Sequence, residues 1–236
     1  MTTDNLMHRD QGFAPRVDAA VSLRGVTRLF DGLPAISHIT LDLGVGETVW
    51  LRGSNGSGKS TLLRVVATAL SPTYGSGMIF GHDLRTGRAR IRQRSDLLGH
   101  RSRLYEDLTA VENLRFVCSM HDMDPSRIDP ALERVGLDEV AHIRTGSFSQ
   151  GMRQRLALAR CIMRCPDLVL LDEPYAGLDA DSRVVVNDLL ADTHRRGGTV
   201  LLASHEAPPP HLVDRSITLD GGRVTPSGGI DVVGIV

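Results

Sequence analysis

Gly53-Ser54-Asn55-Gly56-Ser57-Gly58-Lys59-Ser60 decides how the rest of this sequence is read. It sets a glycine, four further residues and then Gly-Lys-Ser between two elements of different periodicity. Before it, Glu47 to Arg52 (ETVWLR) reads as a short buried strand. After it, Thr61 to Leu70 reads as a helix that Ser71-Pro72 stops. A strand that turns through glycines into a helix N-terminus is a seat for phosphate. Backbone N–H groups from Asn55 through Thr61 can converge on anion oxygens, while Gly53, Gly56 and Gly58 allow the twist and the close approach. Ser54 and Ser57 complete the loop. Lys59 offers a compact charge on a flexible stem to the β- and γ-phosphates, and the Ser60 hydroxyl is a ligand for Mg2+.

The composition sharpens that reading. The 27 basic residues comprise 26 arginines and a single lysine, and that lysine is Lys59. Codon usage alone explains rare lysine but not the position of the one that remains. With 236 residues, 41% hydrophobic and 23% charged, the chain suits one large globular domain, or one with a small insert. Such a core needs no disulfide or metal to hold it. A formal charge of −1 argues against a nucleic-acid coat, and five Phe, three Tyr and one Trp are too few for base-stacking platforms. No apolar run exceeds four residues, so no stretch can span a bilayer. Residues 1 to about 20 are polar and aperiodic, expected to be a tail without signal-peptide character. A cytoplasmic protein is expected. Cys118, Cys161 and Cys165 form no disulfide framework; the last two lie one helical turn apart, either as small core or groove residues or as a metal pair lacking a second pair of ligands.

Working outward, VSLRGVTRLF (21–30) and ISHITLDLGV (36–45) alternate as strands around a turn at Asp31-Gly32, with a second turn at 44–46. Residues 104–147 change character. LTAVENLRFVCSMH has helical spacing with Thr109 as N-cap, and ALERVGL is a second short helix, so this region reads as a small helical insert. A helix follows from about Gln150 to Arg164. LVLLD (168–172) is a central parallel strand ending in a carboxylate. A helix over about 180–195, the buried strand VLLAS and a closing hairpin at ITLDGGRV complete the chain. In LVLLDEP, Asp172 at the end of its strand can hold Mg2+ directly or through water, and Glu173 can polarise an attacking water beside the γ-phosphate.

These motifs resemble those of ABC-type ATPases over about residues 21–225. The resemblance implies an α/β P-loop NTPase fold: a RecA-like core, an antiparallel β subdomain and a helical subdomain at about 100–150, with residues 226–236 as a tail. Phe148-Ser149-Gln150-Gly151-Met152, followed by RQRLALAR, stands where the family has its signature loop. Ser149 and Gly151 are retained there, while Gln150 and Met152 depart from the usual Leu-Ser-Gly-Gly-Gln. The resemblance implies a head-to-tail homodimer binding ATP and Mg2+, in which Ser149 and Gly151 of one copy cap the γ-phosphate held by the other. His205 resembles the switch histidine that contacts that phosphate and orients water. Asp179 resembles a carboxylate at the dimer seam, or is a helix cap. Phe30 falls where an aromatic stacks on adenine, or is a core residue.

His100 stands where the family has a glutamine that touches Mg2+ or the attacking water; a surface histidine is the alternative. If His100 approaches the metal, His100→Gln is expected to keep most turnover and flatten its pH dependence. The arginines between Arg85 and Arg103 read as a solvated face, with nucleic acid or lipid headgroups as other readings. Alternation in RARIRQR is strand-like.

A G protein would need a second lysine in its base-reading motif, and the chain has none. A soluble ABC ATPase of repair or translation would carry a coiled-coil insert or two cassettes. The motor subunit of a transporter, acting on separate integral membrane subunits, fits best, and nucleic acid is not expected as a partner. LLGHRSRLYEDLTAVENLRF and SFSQGMRQRLALAR resemble the ATPase of the haem exporter in cytochrome c maturation, with drug or peptide exporters as the alternative.

Overall fold

A computed structural model describes residues 19–99 and 104–225. The described residues open with two long strands, β1 (Ala19–Phe30) and β2 (Leu33–Gly44), joined at Asp31-Gly32 as the turn signal required. Then come β3 (Thr48–Arg52), α1 (Lys59–Val66), β4 (Tyr74–Ile79), β5 (His82–Asp83), α2 (Arg88–Arg94) and β6 (Ser95–Leu98). Two helices, α3 (Ala110–His121) and α4 (Ile128–Arg134), precede α5 (Gln150–Arg164). β7 (Leu168–Asp172), α6 (Ala180–Arg195), β8 (Thr199–Ala203), β9 (Arg215–Asp220) and β10 (Arg223–Thr225) close the fold.

The strands make two sheets. One is antiparallel, in the order β2-β1-β4-β5. The other runs β10-β9-β3-β8-β7-β6, parallel except for the edge hairpin β9-β10. β7 and β8 are neighbouring interior strands of it and are buried on both faces, which is why they are runs of Leu and Val rather than alternations. Their side chains divide between two cores. Leu168, Leu170, Leu201 and Ala203 face the core shared with α1 and the antiparallel sheet. Val169, Leu171, Val200 and Leu202 face the core shared with α3, α4, α5 and α6. The parallel sheet thus fixes the ends of β3, β7 and β8 side by side, with one hydrophobic body on each face. This is the ABC-type P-loop architecture expected from the motifs.

Two expectations fail locally. RARIRQR is the helix α2, not a strand. Of its apolar positions only Ile91 is buried, so the alternation carried no hydrophobic period. Arg88 and Arg92, one turn apart, both donate to the Thr68 carbonyl, at 2.9 and 3.0 Å. Helix α1 starts at Lys59 and ends at Val66, earlier at both ends than expected; the left-handed φ of 55° at Thr68 stops it at its C-terminal end. Of the cysteines, Cys118 and Cys161 are buried and Cys165 is exposed, all free, and burial pushes the Cys118 and Cys161 thiols up. The expected tails largely fall outside the described residues, as do Arg101 and Arg103.

Candidate functional site

The loop after β3 can be built only from glycine at two points. At Gly53 (φ 152°) a Cβ would lie 2.3 Å from the Leu219 carbonyl oxygen, and at Gly58 (φ 104°) 2.4 Å from that of Ala35. Both contacts are with backbone, so neither neighbour can yield. The loop is also pinned to the β9-β10 turn, where the Gly222 N–H donates to the Ser57 carbonyl at 3.0 Å. No side chain caps α1, so its first-turn N–H groups face the loop mouth.

Lys59, 6% exposed, turns its ammonium back into this loop. Nζ donates to the carbonyls of Gly53 and Ser54 at 2.7 and 3.0 Å. It lies 3.3 Å from His205 Nε2 and 3.8 Å from Glu173 Oε1. At the end of β7, Asp172 Oδ1 accepts from the Ser60 hydroxyl at 2.9 Å. The next residue, Glu173, is left-handed (φ 54°), and its N–H donates to the Ala203 carbonyl on β8 at 2.8 Å. Such a backbone costs about 1 to 3 kcal/mol and occurs where geometry is over-determined. Glu173 Oε2 accepts from the His205 N–H at 3.1 Å. The His205 ring bridges the site: Nε2 is 2.5 Å from Asn55 Oδ1 and 3.4 Å from Glu173 Oε1.

This constellation fits phosphate and a hard divalent cation. Ser57 Oγ and Glu173 Oε1 are buried without a hydrogen-bond partner. A buried ammonium has carbonyls where an anion would be stronger. Ser60 and Asp172 offer two oxygen ligands, the number Mg2+ takes from protein when phosphates supply others. Among the described residues no group of three or more His, Cys, Asp or Glu could hold a metal alone.

Four elements, β3, α1, β7 and β8, therefore bring Asn55, Lys59, Ser60, Asp172, Glu173 and His205 together. Phe30, Ser149, Gly151 and Asp179 lie outside that hydrogen-bonded cluster. Phe30 is no core residue: it is 42% exposed, with the Arg28 guanidinium 4.7 Å from its ring centroid. Ser149 is the N-cap of α5, its hydroxyl accepting from the Met152 N–H at 3.2 Å, and Gly151 lies in the first turn. Asp179 caps α6 through the Ser182 N–H at 2.8 Å, and that hydrogen bonding holds its carboxyl below the usual value. His100 lies outside the described residues; a Cβ on Gly99, just before it, would be 3.8 Å from Asp172 Oδ2. Sequence reasoning missed Arg183 and Glu206, an ion pair beside His205. Only the adjacency of Glu206 to His205 hinted at it, since nothing local ties it to a residue on α6.

Residues 36–176 match the model of the ABC transporter family. The chain is 33% identical over 203 residues to the ABC transporter ATP-binding protein NatA of Bacillus subtilis, covering 84% of this chain and 82% of that protein. It is 37% identical over 180 residues to the cytochrome c biogenesis ATP-binding export protein CcmA of Cupriavidus necator, covering 75% and 79%. A solved dimeric ATP-binding cassette in a post-hydrolysis state with ADP and Pi superposes with a TM-score of 0.81 at 26% identity, over 89% of this chain and 98% of that one. Likeness is thus spread over ATPases of different systems, and the narrower resemblance to the haem exporter is not singled out. The chain belongs to the ABC transporter family, as an ATP-binding and ATP-hydrolysing subunit.

Proposed function

We propose that this chain drives an exporter, as a pair of ATPase subunits on the cytoplasmic face of the membrane bound to integral membrane subunits. Among the described residues no helix is long and apolar enough to cross a membrane. In this reading the force passes to spanning subunits. Lys59 and the loop amides of residues 53–61 hold the triphosphate, and Phe30 stacks on the adenine. Mg2+, when held by Ser60 and Asp172, neutralises charge on the phosphate oxygens. Glu173 takes the proton of the attacking water, and His205 orients that water against the γ-phosphate. Ser149 and Gly151 of the second copy close the site head-to-tail, with Asp179 at the seam, and a second helix N-terminus then faces the same anion. His100, placed by its sequence position, is assigned to the junction with the helical region.

The observation that carries this reading is the Glu173 carboxylate, fixed by the His205 N–H at 3.1 Å and 3.8 Å from the Lys59 ammonium. Glu173→Gln is expected to bind ATP, accumulate a dimer visible by gel filtration, and lose turnover. Undiminished hydrolysis in that variant overturns the assignment of the base.

For cargo we favour haem for cytochrome c maturation. The support is Leu98-Gly99-His100 and Ser149-Gln150-Gly151-Met152, together with the likeness to an export protein of cytochrome c biogenesis. Affinity capture from detergent-solubilised membranes tests it. Recovery of integral proteins of the haem pathway supports it, and recovery of drug- or peptide-export subunits replaces it.

A further inference from the structure

His205 is held from inside the site by Asn55 and Glu173, and the loop that carries it has a further anchor outside. Glu206, the next residue, is gripped by the guanidinium of Arg183 on α6: Nη1 donates to Oε1, and Nη2 to Oε2 at 2.9 Å. The same guanidinium donates from Nε to the Leu178 carbonyl at 3.4 Å and lies 5.9 Å from the ring centroid of Tyr175. Tyr175 is itself fixed. It is buried, and its hydroxyl donates to Asn187 Oδ1, also on α6, at 2.8 Å. The segment 175–179 starts two residues after Glu173 and ends on the α6 cap, Asp179. Its first turn is tied to Glu173 by the Ala176 N–H, at 3.2 Å.

These contacts close a ring: Glu173 to His205, to Glu206, to Arg183, to Leu178, and along the chain back to Glu173. Two side chains join the two loops in it: the Glu173 carboxylate inside the site, and the Arg183 guanidinium outside it. Both partners of the ion pair are exposed, at 38% and 53% of their side chains, so the pair adds little to stability. A planar fork with two bonds to one carboxylate and a third to a carbonyl does fix orientation. Its contribution is therefore geometric.

We propose that Arg183 is a positioning residue that couples segment 175–179 to the loop bearing His205. A shift at the Asp179 end is then passed to the imidazole and to the Glu173 carboxylate. The proposal rests on the roles given above to Glu173 and His205. It adds a device by which closure at the dimer seam sets the geometry of the reacting water.

Steady-state ATPase kinetics on the full chain test it. Arg183→Met keeps the alkyl stem and removes the fork, and Glu206→Gln removes the carboxylate charge. Each is expected to lower kcat roughly tenfold, since small misplacements of a reacting group cost rate. KM for Mg-ATP and the melting temperature should stay as in the wild type. Arg183→Lys should recover only part of the rate, and the double variant Arg183→Met/Glu206→Gln should fall no further than either single one. Wild-type kcat in Arg183→Met overturns the coupling, and so do losses that multiply in the double variant. Glu173→Gln measured alongside separates the two levels. If it is inactive while Arg183→Met is fully active, the coupling alone fails. If Glu173→Gln itself hydrolyses ATP normally, the underlying assignment of the base has failed.

Discussion

Lys59 is the only lysine among 27 basic residues, and its ammonium is buried against two carbonyl oxygens. An arginine there would bring a rigid planar fork in place of a compact ammonium on a flexible stem. Lys59→Ala should lower ATP affinity at least about a hundredfold, measured by titration calorimetry, because a buried charge-assisted contact to phosphate is lost. Lys59→Arg should keep the charge and still fail to turn over; normal hydrolysis in it would show that charge alone suffices. At the same scale, Glu173 and His205 are legible as residue types at strand ends. Their mutual contact is not, because 32 residues and an entire βα unit separate them.

At the scale of elements, helix caps carry both stability and function. The α3 cap is a reciprocal box: Thr109 Oγ1 accepts from the Glu112 N–H at 3.2 Å, and Glu112 Oε2 accepts from the Thr109 N–H at 2.8 Å. Thr109→Ala should cost about 1 kcal/mol in chemical denaturation with little change in turnover. Ser149→Ala removes a cap of similar worth from α5, again about 1 kcal/mol. In addition it should cut ATP-dependent dimerisation in a Glu173→Gln background, which a cap acting only within its own helix would leave intact. Asp179 gives the pH sign. Its folded value lies below the ordinary one because of hydrogen bonding from Ser182. The stabilisation it contributes is complete above the unfolded carboxylate range, near pH 4, and is lost as pH falls through the lower folded value. Asp179→Asn should therefore flatten the acid limb of a stability–pH curve, lying below the wild type at neutrality and converging with it in acid.

The whole molecule places the phosphate loop at the end of the parallel sheet and the Ser149 cap on α5, outside the cluster of bonded site residues. A head-to-tail dimer makes a testable demand of that separation. Lys59→Ala and Ser149→Arg should each be inactive alone. Mixed in equal amounts, half the dimers pair an intact loop with an intact cap at one of two sites, so about a quarter of wild-type turnover should return. Mixtures that stay silent while both variants dimerise would refute the shared site.

Local pattern settled the loop, the strand-end carboxylates, the turn at Asp31-Gly32 and the spans of α5 and α6, because each depends on neighbours within a few residues. Hydrophobic period and caps carry that information along the chain. Tertiary structure alone decided the rest. β6 is a strand because Ser95 to Leu98 pair in register with Leu168 to Leu171; SDLL is too short to declare itself. α2 is a helix because Ile91 finds a core and Arg88 and Arg92 find one carbonyl. The grip of Arg183 on Glu206, like the approach of His205 to Asn55, exists only once β3, β7 and β8 lie side by side. Hydrogen bonds between residues so far apart in sequence are set by the packing of elements, and no local period encodes them.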